Sequence, residues 1–167
     1  KMRKGKVKMK KIRKVMDSVL GTMCSVMFSL MTILAVYQVV SRYVFNSPSS
    51  FSEELLTYSF AWMSMFAATL AFGEMDHMKL DFFVNKLKGK TALVVAIVTE
   101  CIILVFTALV LIYGGMALTK LTMAQLTASL AIPMGYVYSI MPISGVLTTI
   151  YCILNIVSLC ERMKTQQ

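Results

Sequence analysis

Acidic side chains, histidine and polar surface in general are scarce in this chain, and their scarcity excludes more than any residue present. Of 167 residues only eight are Asp or Glu and 15% are charged, against 57% hydrophobic and a mean hydropathy of +0.72. That is too little polar surface to cover a water-soluble globule, so the chain belongs in a bilayer. His77 is the one histidine. A haem held by two histidines of the same chain is therefore excluded, and with it the usual membrane anchor of a redox complex; a zinc site is disfavoured. The cysteines Cys24, Cys101, Cys152 and Cys160 all fall in hydrophobic runs, and no two have metal-ligand spacing. They read as free thiols in a membrane. No internal repeat is visible, which removes one mark of a transporter built from inverted halves.

Positive charge is plentiful but badly placed for nucleic acid. The formal net charge is +9, yet nine of the seventeen Lys and Arg lie in the first fourteen residues. A nucleic-acid face would interleave basic and aromatic residues over a folded surface. This run is a flank, and no nucleic-acid partner is expected.

The apolar run from Val15 to Val40 contains one ionisable residue, Asp17. It is about twice the length of a signal-peptide core and no small-x-small cleavage site closes it, so it reads as a retained first span of roughly 39 Å. Asn46-Ser47-Pro48 then stops the helix, because proline has no amide hydrogen and forces its predecessor towards extended geometry. Ser50 and Glu53 have capping-box spacing, with Glu53 and Glu54 in a first turn where the helix dipole favours negative charge. The second span runs from Glu53 to Gly73. After it, Glu74, His77, Asp81, Asn85 and Lys88 recur every three or four positions, the pattern of a short amphipathic helix that lies at the interface or extends the span. Residues 116–132 carry only Lys120 among charged groups and read as a second amphipathic linker.

The chain is thus expected to be an all-α membrane protein of four transmembrane helices plus short amphipathic interfacial helices. Residues 1–14 form a basic cytoplasmic leader and 15–167 a single four-helix membrane domain, with spans at about 15–40, 53–73, 92–115 and 136–160. Charge sets the orientation. With a cytoplasmic amino terminus, the inner segments collect the nine leading cations, Lys79, Lys86, Lys88, Lys90, Arg162 and Lys164, while the outer segments hold only Arg42 and Lys120. Both termini are then cytoplasmic.

Small and weakly polar residues mark where membrane helices approach one another. Gly21, Ser25 and Ser29 form such a stripe in span one. Ser64 with Ala68, and Ala67 with Ala71, do so in span two, and Ser144, Thr148, Tyr151, Asn155 and Ser158 in span four. Glu100 lies about nine residues into span three, roughly 13 Å along the helix and too deep to be interfacial. It must be protonated, hydrogen-bonded or paired. A polar group on another helix, such as Asn155, is one partner; another subunit is the alternative. Trp62 sits mid-span, away from the interfacial belt, and reads as packing. His77 and Asp81 have the four-residue spacing of an imidazole–carboxylate pair. Arg42, Glu53 and Glu54 flank the hinge, where they bridge one another or meet a partner.

RYVFNSPSSFSEELLTYSFAWMSMFAATLAFGEMDHMKLDFF, from Arg42 to Phe83, resembles the small membrane subunit, DctQ or SiaQ, of tripartite ATP-independent periplasmic (TRAP) transporters. The resemblance rests on Arg42, Val44, Phe45, Asn46, Pro48, Glu53, Glu54, Trp62, His77 and Asp81, and on IPMGYVYSIMPISG from Ile132 to Gly145. Phe51 stands where the family commonly has tryptophan, and Ala67-Ala68 where a glycine is usual. The resemblance implies a separate, non-enzymatic scaffold subunit of a sodium-driven uptake system for organic acids, C4-dicarboxylates or sialic acids, in the bacterial inner membrane. Its implied partners are a large elevator-type membrane subunit, a periplasmic substrate-binding protein and membrane lipids. It implies no cofactor on this chain, sodium belonging to the large subunit. Arg42, Asn46, Glu53, Glu54, Trp62, His77, Asp81 and Glu100 are the candidate partner-interface residues. The competing reading is a self-sufficient four-helix exporter working through Glu100.

Overall fold

The computed structural model describes the backbone of residues 2–86 and 90–165, and side chains over 9–73, over 93–160 and at 163. Helix α1 spans Met2–Tyr43 and α2 spans Ser50–Lys86. Helix α3, Lys90–Phe106, passes directly into a π-helical segment, Thr107–Gly114, and then α4, Gly115–Thr122. Helices α5, Met134–Tyr138, and α6, Ile140–Thr165, complete the chain. Among the described residues four stretches are long and apolar enough to cross a membrane: Met9–Tyr43, Ser50–Gly73, Leu93–Thr122 and Met134–Cys160.

One segment takes the second of its two expected courses and one differs from its expected linker. The backbone after Gly73 does not break but continues α2 to Lys86, so the amphipathic stretch extends the second span. Residues 116–122 likewise prolong the third, because nothing in Gly115–Thr122 interrupts a helix: there is no proline, and the apolar run continues past Lys120. Of that linker, only the part from 123 on is irregular, and the irregular stretch runs to 133. That loop is closed on itself by a bridge between Leu126 and Pro133 and by Met134 N donating to Gln125 O at 2.8 Å.

The α1–α2 turn has its own local logic. Ser47 N donates to Ser41 O at 3.2 Å, and the Ser41 hydroxyl donates back to Ser47 O at 2.6 Å, so the chain end of α1 is tied to the hinge. Asn46 takes φ 50 there, a left-handed conformation that asparagine adopts more readily than most residues. The capping residue of α2 is Ser49, not Ser50: Ser52 N donates to Ser49 Oγ at 3.4 Å, while Ser50 is already helical. The adjacent pair Ser49-Ser50 offers the cap two registers, and the chain uses the first.

Helix α6 is the hub. In its span 39% of the most apolar stretch is buried, against 6% for α1, which packs mainly on α2 along one edge. The interior is polar by the standards of a soluble protein: Thr69, Thr107, Ser144, Thr148 and Asn155 are buried, whereas Phe28, Ile33, Ile102 and Leu109 point outwards. With lipid outside there is no hydrophobic gain in burying a leucine, so small side chains that let backbones approach take the inside. Gly145 and Gly115 show the approach directly. A Cβ on Gly145 would stand 2.9 Å from Leu111 Cβ, and one on Gly115 2.9 Å from Pro142 Cδ. The π segment thus lies where α6 presses against the third span.

Candidate functional site

Two polar ties and one close contact run from α2 to the last helix pair. At the hinge end the Trp62 indole Nε1 donates to Val137 O at 3.0 Å, and its ring meets Phe66 edge to face at 6.1 Å. Midway, Thr148 Oγ1 lies 3.4 Å from Thr69 Oγ1. At the far end Gly73 lies against Tyr151, whose ring would be 2.6 Å from a Cβ there. The same tyrosine donates its phenol to Asp17 Oδ1 at 2.6 Å, and the Arg13 guanidinium donates to Gly73 O. One knot therefore joins α1, α2 and α6. Sequence reasoning missed it, although Asp17 was the only ionisable residue of its apolar run and Tyr151 already belonged to the polar sector of span four; nothing local pairs two residues so far apart.

The hinge carboxylates part company. Glu54 Oε2 accepts from the backbone N–H groups of Ser129, at 2.6 Å, and Leu130, at 3.0 Å, while Oε1 accepts from the Tyr58 phenol at 2.6 Å. Glu54 thus pins the 123–133 loop onto the start of α2. The loop supplies the two amides by turning through Ala131, at φ 51, and by the Thr127 N to Ile132 O bond of 2.9 Å. Glu53 and Arg42 are exposed, and among the described residues the side chain of neither has a hydrogen-bond or ion-pair partner. Asn46 serves the turn. The side chains of His77 and Asp81 lie outside the described residues, on the backbone of α2.

Glu100 is 5% exposed and faces α6, where Asn155 Nδ2 stands 3.5 Å from its Oε1. Among the described residues no three His, Cys, Asp or Glu side chains are grouped as metal ligands would be.

The small-residue stripes divide between inside and outside. Ser144, Thr148, Tyr151 and Asn155 of α6 are buried in the seam. Ser25 and Ser29 of α1, and Ser64, Ala67, Ala68 and Ala71 of α2, are exposed, and a Cβ on Gly21 would meet nothing within 4 Å. The hydroxyls of Ser25 and Ser29 are satisfied by carbonyls one turn back, Gly21 O and Ser25 O. Between these stripes the crease of α1 and α2 holds an open apolar groove of about 490 Å³, with Phe28, Met31 and Ala35 on one wall and Leu56, Phe60 and Met63 on the other. At 100° per residue the two stripes flank that groove, so they and it form one continuous outward face.

Residues 31–162 match the model of the family described as tripartite ATP-independent periplasmic transporters, DctQ component. The chain belongs to the DctQ family. Among similar DctQ-type proteins, a putative TRAP transporter small permease protein of Haemophilus influenzae is 29% identical over 150 residues, covering 90% of this chain and 92% of that protein. The sialic acid TRAP transporter small permease protein SiaQ of Vibrio cholerae is 24% identical over 108 residues, covering 65% of this chain and 62% of SiaQ. The sialic acid TRAP transporter permease protein SiaT of Haemophilus influenzae is 32% identical over 82 residues, which are 49% of this chain but only 13% of SiaT. Family and helices together make this DctQ subunit a multi-pass protein of the bacterial inner membrane, part of a transporter and of a kind not ordinarily enzymatic.

Proposed function

We propose that this subunit is the static brace of a sodium-coupled TRAP uptake system for an organic acid of the C4-dicarboxylate or sialic acid class. It holds a large elevator-type permease subunit by the outward face of α1 and α2, and it lends its hinge end to the docking of a periplasmic binding protein. The observation that carries this reading is the disposition of polar groups. The ties described above run helix to helix inside the chain, while the two small-residue stripes and the groove between them are left open. Small-residue faces are what a second helical protein packs on in lipid. SiaT supports a partner of that kind, since a stretch like this one there forms a small part of a much longer permease. Arg42 and Glu53, exposed beside the hinge, are the groups available to a docked protein on that side, and the distribution of Lys and Arg supports reading it as the periplasmic side. Sodium and substrate are assigned to the large subunit.

Reconstitution tests the proposal. Sodium-dependent uptake of the organic acid by liposomes should require the small and large subunits together with the binding protein; uptake by this chain alone would refute the brace. Arg42→Glu should lower uptake at limiting binding protein while leaving co-purification with the large subunit unchanged. The exporter reading gains nothing from Glu100, which is enclosed and occupied by Asn155.

A further inference from the structure

We propose that Lys10, Lys11 and Lys14 form a binding site for the headgroups of anionic phospholipids, set at the rim of the membrane where α1 enters it. The depth follows from length. Helix α1 is unbroken from Met2 to Tyr43, and between Lys14 and Arg42 its one charged residue is Asp17. At 1.5 Å per residue the two cations stand about 42 Å apart along the axis, close to the thickness of a bilayer with both headgroup layers, about 40–45 Å. With Arg42 at one surface, Lys14 is level with the phosphates of the other, and Lys11 and Lys10 lie in the next turn.

The direction follows from packing. Met9, Arg13, Met16, Asp17 and Leu20 are half-buried or buried, and their helical period marks the face of α1 turned to the rest of the chain. Two bonds lock that rotation: the Arg13 guanidinium donates to Gly73 O, and Asp17 Oδ1 accepts from the Tyr151 phenol. Lys10, Lys11 and Lys14 are exposed, and at 100° per residue they share an arc of about 100° little more than one turn tall. Acidic side chains of the chain itself cannot use up the charge there. The segments that flank this end of the bundle in sequence, 1–17, 74–92 and 161–167, carry fifteen Lys and Arg against five Asp and Glu, so ten positive charges are left over however the side chains pair. What covers the arc must bring negative charge at the depth of the phosphates and must also suit the lysine stems and the exposed Val15 and Val19 below them. A soluble polyanion meets the first need only. An anionic phospholipid meets both, with its headgroup on the ammonium groups and its acyl chains along the valines. The inference rests on the membrane-spanning helices and stands whether or not the chain braces a larger subunit.

Spin-labelled lipids test it, with the full chain reconstituted in phosphatidylcholine vesicles and the protein-bound fraction of labelled phosphatidylglycerol compared with that of labelled phosphatidylcholine. The wild-type chain should hold phosphatidylglycerol several-fold more strongly, and the preference should fall towards one in the triple variant Lys10→Gln, Lys11→Gln, Lys14→Gln. Glutamine forms helix about as well as lysine, so the variant should keep the wild-type circular dichroism. A second triple variant, Lys79→Gln, Lys86→Gln, Lys88→Gln, removes the same charge from the same end and should keep most of the preference. No preference in the wild-type chain would overturn the proposal. So would equal losses in the two variants, which would mean a diffuse field with no site. Raising the salt concentration needs no variant and should weaken the wild-type preference, since the three ammonium groups are exposed; a preference indifferent to salt would also overturn it.

Discussion

The phenol of Tyr151 and the carboxylate of Asp17 are joined by a 2.6 Å hydrogen bond across 134 residues of chain. Asp17 interrupts the first apolar run, and Tyr151 is fully buried at the centre of the last helix, so each explains the other. A carboxylate inside a span needs a donor, and a phenol in a closed helix interface needs an acceptor. Gly73 makes the arrangement possible by giving the tyrosine ring room against α2.

Two substitutions separate the bond from the space. Tyr151→Phe keeps the ring and strips the donor from Asp17, and should cost about 1–3 kcal/mol. Gly73→Ala puts a Cβ 2.6 Å from the ring and should cost a similar amount through overpacking, about 1–3 kcal/mol. Thermal unfolding in detergent measures both. The double variant Gly73→Ala with Tyr151→Leu should recover part of the second loss but none of the first.

Glu54 holds the 123–133 loop. Removing its carboxylate in Glu54→Ala frees the amides of Ser129 and Leu130 together with the Tyr58 phenol. The expected consequence is faster proteolytic cleavage between Met123 and Pro133, with span insertion unaltered. Glu53→Ala, one residue away and without such contacts, should leave the cleavage rate at the wild-type value.

Trp62→Phe retains an aromatic ring against Phe66 but leaves the carbonyl of Val137 without its donor. A neutral hydrogen bond lost in this way is worth about 1 kcal/mol. The thermal midpoint should fall modestly, and Trp62→Ala should lower it much further because the ring contact goes as well.

Two glycines should behave in opposite ways. A valine at Gly145 meets Leu111 and Ile112 within 3 Å and should destabilise the isolated chain by prising α6 from the π segment. A leucine at Gly21 meets nothing inside the chain, so stability should be unchanged. Co-purification with the large permease subunit should nevertheless drop several-fold if the α1–α2 face is where that subunit sits. Undiminished co-purification would move the interface elsewhere.

Much of this architecture was readable in the order of residues. Long apolar runs in a chain with so few charges can only be spans, since every backbone polar group in lipid must be satisfied within a helix. The stop at Asn46-Ser47-Pro48 follows from covalent geometry alone, and so does a cap among the serines after it. The depth of Glu100 called for a polar companion, and Asn155 was a visible choice because both project from the middle of their helices. What composition and spacing could not supply was direction. The stripes of α1, α2 and α6 look alike in sequence, yet only that of α6 is buried, because a lipid-soluble helix has no hydrophobic gradient to say which face turns inwards. The partners of Glu54 and Asp17 were equally hidden, since a carboxylate's need for donors is local while the donors, a loop amide pair and a phenol, arrive only when distant helices pack. Sequence determined that the chain holds four helices long and apolar enough to cross a membrane; tertiary structure alone decided which polar groups meet inside and which face was left open.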